Sequence, residues 1–156
     1  MVEKYPPDIW LPLKKNWDWQ LESWDTPQTL NVGEEKLLIQ DKDLLSTKGW
    51  IWSAGWQADS PNAGVRIEYT GPKGRLYRSI ATIQGIHDYG AQSLASPGAW
   101  SVTRWAESVA PEYAVVFWSS FSFPFQPKFS FRMINGGVTP ITIYKIYMTF
   151  LLLWEE

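Results

Sequence analysis

From Pro27 onward, apolar residues recur at every second position in short runs, and turn residues separate the runs. A period of two puts alternate side chains on opposite faces of an extended chain, so the pattern selects half-buried antiparallel strands over helices. Val65, Ile67 and Tyr69 alternate with Arg66, Glu68 and Thr70. The turn Gly71-Pro72-Lys73-Gly74 and a second run across Arg75 to Gln84 complete a hairpin. Tyr113 to Phe125 is the richest run, with Val115, Phe117, Phe121, Phe123 and Phe125 on one parity and Val116 and Trp118 on the other. It is expected to be a central strand that ends at Pro124 and Pro127. Lys128 to Asn135 sets Phe129, Phe131 and Met133 against Ser130 and Arg132. After Gly136-Gly137, Ile141 to Trp154 reads as one long strand with Ile141, Ile143, Tyr147, Leu151 and Leu153 on a single face.

The remaining runs are shorter. Thr29 to Val32 and Lys36 to Gln40 flank Gly33-Glu34-Glu35 and are expected to pair as a hairpin. Gly85 to Gly98, which holds the sole histidine, His87, reads as a long loop, and Ala99 to Trp105 as a short strand. Strands at this spacing, with no amphipathic helix between them, predict an all-β fold. The expected architecture is an antiparallel β-sandwich of about eight strands, a jelly roll or a related Greek key. It forms a single domain over residues 27–156, a length that can bury a core of its own. Residues 1–26 lack alternation and carry Pro6, Pro7 and Pro12 beside Trp10, Trp17, Trp19 and Trp24, so they read as an irregular arm. Four indoles in a free arm would lie in water, so they are expected to dock on the domain's own sheet or on a neighbouring subunit.

Several classes of function are disfavoured by composition. Lys and Arg number 14 against 16 Asp and Glu, a net charge of −2 with no single-sign block, which gives no footprint for nucleic acid. The absence of cysteine excludes disulfides, thiolate metal sites and cysteine nucleophiles. The longest apolar stretch, Met148 to Trp154, is far shorter than the roughly 20 residues of a membrane helix. The opening residues do not read as a signal peptide, so a soluble protein without membrane insertion is expected. His87 beside Asp88 in a glycine-flanked loop lacks the arrangement of a catalytic base. Asp59, Glu68, Asp88, Glu107 and Glu112 show no spacing that selects a carboxylate pair. Gln40-Asp41-Lys42-Asp43 reads as a solvated turn, not a calcium loop, and Gly71 to Gly74 lacks the spacing of a phosphate loop. No catalytic residue, metal or cofactor is expected.

What remains is aromatic: 11 Trp, 7 Tyr and 7 Phe. Indoles bury large area and dominate contact energetics, so Trp10, Trp17, Trp19 and Trp24 are the candidate partner-contact residues. Trp50, Trp52 and Trp56 share a parity on one predicted strand, with Gln57 and Arg66 nearby. They could form a platform on which sugar rings stack. The preferred reading is core, because an inner sheet surface requires aromatics on one strand face.

The run from Lys128 to Gly137, in which an Arg-bearing strand ends at Asn135 before a small-residue turn, leads into the β-branched run from Thr139 to Leu153. Together they resemble the terminal strands of β-sandwich proteins from the virions of tailed phages and archaeal viruses. Cellulosome-type and lectin-like sandwiches share the pattern. The virion resemblance implies a non-enzymatic structural protein, a capsid, decoration or tail-associated subunit. Such a protein would assemble with copies of itself or with other virion proteins through aromatic contacts. The alternative is a carbohydrate-binding module for glycan or host-surface attachment, using Trp50, Trp52, Trp56, Gln57 and Arg66.

Overall fold

The computed structural model describes residues 17–46, 48–70, 73–88 and 99–153. These form nine strands: β1 (Trp17–Trp24), β2 (Gln28–Leu30), β3 (Glu35–Gln40), β4 (Gly49–Ala58), β5 (Ala63–Thr70), β6 (Leu76–Thr82), β7 (Ala99–Arg104), β8 (Tyr113–Asn135) and β9 (Ile141–Leu153). A 3-10 turn spans Asp41–Asp43, and a short helix, α1, spans Ile83–Asp88. Every ladder is antiparallel. In the first sheet β1 and β2 lie end to end along β9, followed by β4, the first half of β8, and β7. The second sheet runs β3, the second half of β8, β5, β6.

If β1 and β2 are taken as one strand broken at Asp25, Thr26 and Pro27, the chain has eight strands arranged as a rolled ribbon. Its first strand pairs with its last, β3 with β8, and β5 with β6. These are three of the four rungs of a jelly roll. The fourth, between β4 and β7, is opened by the first half of β8, which inserts between them. The expected all-β sandwich is therefore the observed fold.

The core fills the space between the sheets. Trp56, Phe117, Phe129, Phe131 and Phe150 are its largest fully buried side chains, with Leu30, Ile39, Ile51 and Ile67 beside them. Phe129 of the second sheet meets Phe150 of the first edge to face at 5.5 Å. Each such ring removes enough apolar surface from water to contribute about 2–3 kcal/mol.

Four expectations need correction. The strand expected to stop at Pro124 and Pro127 instead continues as β8 to Asn135. The prolines sit where β8 changes partners, from Gly49 opposite Phe125 to Thr70 opposite Gln126, and Lys128 adopts a positive φ of 77° just beyond. A missing N–H and a local bend are tolerated at such a crossing. Residues 17–24 form a strand and do not belong to an irregular arm. Its inward positions carry Asp18, Gln20 and Glu22, opposite Leu152, Phe150 and Met148, which inverts the pattern that marks a strand in sequence. Buried Gln20 is satisfied by the loop after β3: its amide donates to Asp43 O at 3.2 Å and its carbonyl accepts from Leu45 N at 2.9 Å. Residues 1–16, with Trp10, lie outside the described residues.

The third correction concerns β2 and β3. They flank the turn at Gly33 (φ 76°) but do not pair with each other: β2 joins β9 and β3 joins β8, so the turn is a corner between the sheets. Finally, the start of the expected loop at Gly85 belongs to α1, which buries Ile83 and Ile86 against the end of the sandwich, with Gly85 N donating to Thr82 Oγ1 at 3.0 Å. Residues 89–98 lie outside the described residues.

Candidate interaction face on the first sheet

Residues opposite each other in an antiparallel ladder project to the same side. Trp19 of β1 and Trp50 of β4 both stand opposite Leu151 of β9, so the three form one row across the outer face of the first sheet. Leu21, Thr149 and Ser53 form the next row, and Ser23, Tyr147 and Gly55 the one after. Trp52 is an extra residue in β4: Ile51 and Ser53 face Phe150 and Thr149, which are adjacent in β9. This bulge sets the Trp52 ring against Trp19, edge to face at 5.4 Å with 84° between planes.

The result is an apolar patch turned to solvent. Trp19 is 50% exposed and Leu21 66%, while Leu151, on the same outward face, is only 1% exposed. Trp50 and Trp52 are half-buried.

The bulge also divides the three tryptophans expected to share a face. Beyond it, parity reverses and Trp56 enters the core, where its indole N–H donates to Ala63 O at 3.1 Å. Trp50 and Trp52 are therefore outer-face residues and Trp56 is core. Gln57 follows on the outer face, opposite Lys145. Arg66 lies elsewhere, on the outer face of the second sheet, where it pairs with Glu35 at 2.5 and 2.9 Å. Its buried Nε has no hydrogen-bond partner among the described residues.

The candidate contact residues also separate. Trp19 joins the patch, whereas Trp24 turns inward opposite Ile146 and packs on the core. Trp17 stands opposite Leu153 at the start of β1. Leu21, Leu151 and Tyr147 belong to the face but were not singled out from sequence. For Tyr147 the reason is a second bulge. The β4–β9 ladder passes from Gln57 opposite Lys145 to Ala58 opposite Ile143, and the extra residue, Tyr144, switches the parity of β9. The inward residues are thus Ile141 and Ile143, then Ile146, Met148, Phe150 and Leu152, and Tyr147 and Leu151 face outward.

Beside the patch, an open cleft of about 170 Å³ lies over Gly55 and is lined by Asp25, Gln57, Thr103, Lys145 and Tyr147 among others. A Cβ at Gly55 would stand 2.4 Å from Cε1 of Tyr147, so the glycine is what allows this ring to rest on the sheet. Burial holds the Tyr147 hydroxyl above the ordinary tyrosine range, partly offset by its hydrogen bond with Ser53. Ser53 Oγ lies 3.1 Å from Thr149 Oγ1.

The acidic and imidazole groups weighed from sequence make ordinary structural contacts. His87 stacks on Trp105 at 3.6 Å, and Trp105 meets Tyr113 edge to face at 5.2 Å. Asp59 accepts from Thr142 N at 2.8 Å, Glu68 from Arg78 Nε at 3.2 Å, and Asp88 from Gln84 Nε2 at 2.8 Å. The Tyr144 hydroxyl donates to Glu112 at 3.0 Å. Burial chiefly, and then this carboxylate, raise the Tyr144 pKa. Asp43 accepts from Gln40 N at 3.0 Å, closing the expected turn. Among the described residues no group of three or more His, Asp and Glu is placed to hold a metal ion, and no helix is long and apolar enough to cross a membrane.

Fold and face together define an antiparallel β-sandwich with an aromatic patch open to solvent on one sheet. Comparison with known proteins returns no match, whether to a family model, a curated protein or a solved structure.

Proposed function

We propose that this chain is a non-enzymatic structural subunit of a virion that assembles with copies of itself through the outer face of its first sheet. The observation that carries the assembly is the contiguity of Trp19, Leu21, Trp50 and Trp52 on a solvent-facing surface. Large aromatic side chains clustered with an exposed aliphatic one are the material of interface hot spots. The ring geometry favours protein over sugar at this patch. A sugar stacks on a flat aromatic face, but Trp19 and Trp52 stand nearly perpendicular, and Leu21 offers no π surface.

A second copy is the chosen occupant because soluble oligomers are mostly symmetric homo-oligomers, whose interfaces place one patch against itself. Support for the virion setting comes from the strands that resemble those of virion sandwiches. They form β8 and β9, the central strands of the two sheets. A jelly roll serves many functions, so this support is an analogy of fold.

The test is native mass spectrometry and electron microscopy of the full chain, with the Leu21→Asp variant alongside. The expected result is a discrete oligomer or larger regular assembly that the variant disperses. A monomer at every concentration would overturn the proposal.

A further inference from the structure

We propose that the cleft over Gly55 is a binding site for a sugar unit of an uncharged glycan, distinct from the indole patch. The cleft draws its polar groups from separate elements. Gln57 comes from β4, Lys145 from β9, Thr103 from β7, and Asp25 from the break between β1 and β2. None of these four side chains has a hydrogen bond or ion pair among the described residues. Residues with polar side chains from four elements therefore line one concavity, and none of those side chains is tied to another group among the described residues.

Their chemistry selects the ligand. Lys145 only donates, Asp25 only accepts, and the amide of Gln57 and the hydroxyl of Thr103 do both. One cation and one anion cancel, so the cleft prefers neither a phosphate nor a metal cation. Adjacent hydroxyls, each able to donate and accept, match this mixed set. The other lining is apolar: Ala114, Val116 and the ring of Tyr147, held against Gly55. That surface suits the C–H face of a pyranose, and an apolar wall with a few convergent polar groups is the usual make-up of a small-molecule site.

The site adjoins the patch but is centred away from its indoles. Along β9, Tyr147 lies four residues from Leu151, which at about 3.4 Å per residue puts it roughly 14 Å from the Trp19–Leu151–Trp50 row. Only Gln57 is shared with the platform read from sequence, and the proposal does not depend on the assembly reading.

The test is saturation-transfer NMR on the full chain with the methyl glycosides of glucose, galactose, mannose and N-acetylglucosamine, and with inorganic phosphate in competition. At least one glycoside is expected to show saturable transfer to its ring C–H protons that phosphate does not displace. Gln57→Ala and Lys145→Ala, both on the outer face, should each weaken its affinity about three- to tenfold, the loss expected for one hydrogen bond. Trp19→Ala should leave the affinity unchanged. No saturable transfer from any glycoside would overturn the inference. So would affinity insensitive to both cleft variants, displacement by phosphate, or transfer abolished by Trp19→Ala, which would move the sugar to the patch. Oligomeric state is measured separately, so failure here and failure of the assembly proposal are distinguishable.

Discussion

The two sheets present different chemistry to solvent. Across the outer face of the second, Leu37, Arg132, Arg66 and Ile80 form one row, and Gln40, Ser130, Glu68 and Arg78 the next. Two of its arginines are paired within the sheet, Arg66 with Glu35 and Arg78 with Glu68. The outer face of the first sheet carries indoles and leucines in the corresponding place. Both faces sit on strands of the same sandwich with a common core, so folding alone does not require one to be apolar. The second face also exposes Leu76 and Ile80, each at 55%, so the contrast lies in the clustered indoles, which among the described residues only the first face carries and which mark it as adapted to contact.

The largest expected effect separates core from face within a single strand. Trp56→Ala should cost about 3–5 kcal/mol of stability, because it opens a cavity in a packed core and leaves Ala63 O without its donor. Trp52→Ala, which removes an edge-to-face contact on the surface, should cost only about 1 kcal/mol. Chemical denaturation of the two variants measures both. Equal losses would mean that the bulge does not divide them.

Next in size is the contrast between the faces in assembly. Leu21→Asp puts a charge into the patch and should weaken self-association by about 2 kcal/mol, roughly thirtyfold in Kd. Arg78→Ala on the second sheet should leave association unchanged. Sedimentation equilibrium on the two variants decides it, and equal sensitivity would erase the functional distinction between the sheets.

Much of this arrangement was legible in the sequence wherever the period of two ran unbroken. The β5–β6 hairpin forms as its alternation predicts, and Val115 and Phe117 point inward from β8 while Val116 points outward. The reading failed at single inserted residues. Trp52 and Tyr144 each add one residue to a strand and reverse every side chain beyond, yet neither leaves a mark in composition or hydropathy. Trp19 and Gln57 came from two unrelated candidate groups and proved to lie on one sheet. Their relation rests on β1 and β4 both pairing with β9, a long-range choice that local pattern does not contain. The inward polar run of β1 hid that strand altogether, because what satisfies buried Gln20, beyond Glu22 on its own strand, comes from the distant loop after β3.

A smaller effect probes the ion pairs of the second sheet. Glu35→Gln should cost about 1 kcal/mol or less, since the Arg66 pair is two-pronged but partly solvated. Glu68→Gln should cost still less, because the Arg78 side chain is 58% exposed. Salt should reduce both differences. Denaturation midpoints at low and high ionic strength report this, and a salt-independent loss at Glu35 would point to packing of the Arg66 stem and away from charge.

The smallest effect is a matched pair of tyrosines, one on each sheet. Burial raises the pKa of Tyr147, and burial together with the nearby Tyr77 raises that of Tyr69. In the unfolded chain both hydroxyls ionise near the ordinary tyrosine value of about 10. A folded-state pKa raised above that value means the native protein holds these protons more tightly. Their stabilising contribution is therefore complete below about pH 10 and is lost as pH rises through the folded values. Tyr147→Phe and Tyr69→Phe should each flatten the alkaline limb of a stability-against-pH curve and leave the neutral region almost unchanged. If Tyr147→Phe leaves the alkaline limb as steep as in the parent while Tyr69→Phe flattens it, the Tyr147 hydroxyl is solvated in the native state. The ring would then stand away from Gly55, and the first sheet would carry an open groove in place of a walled cleft.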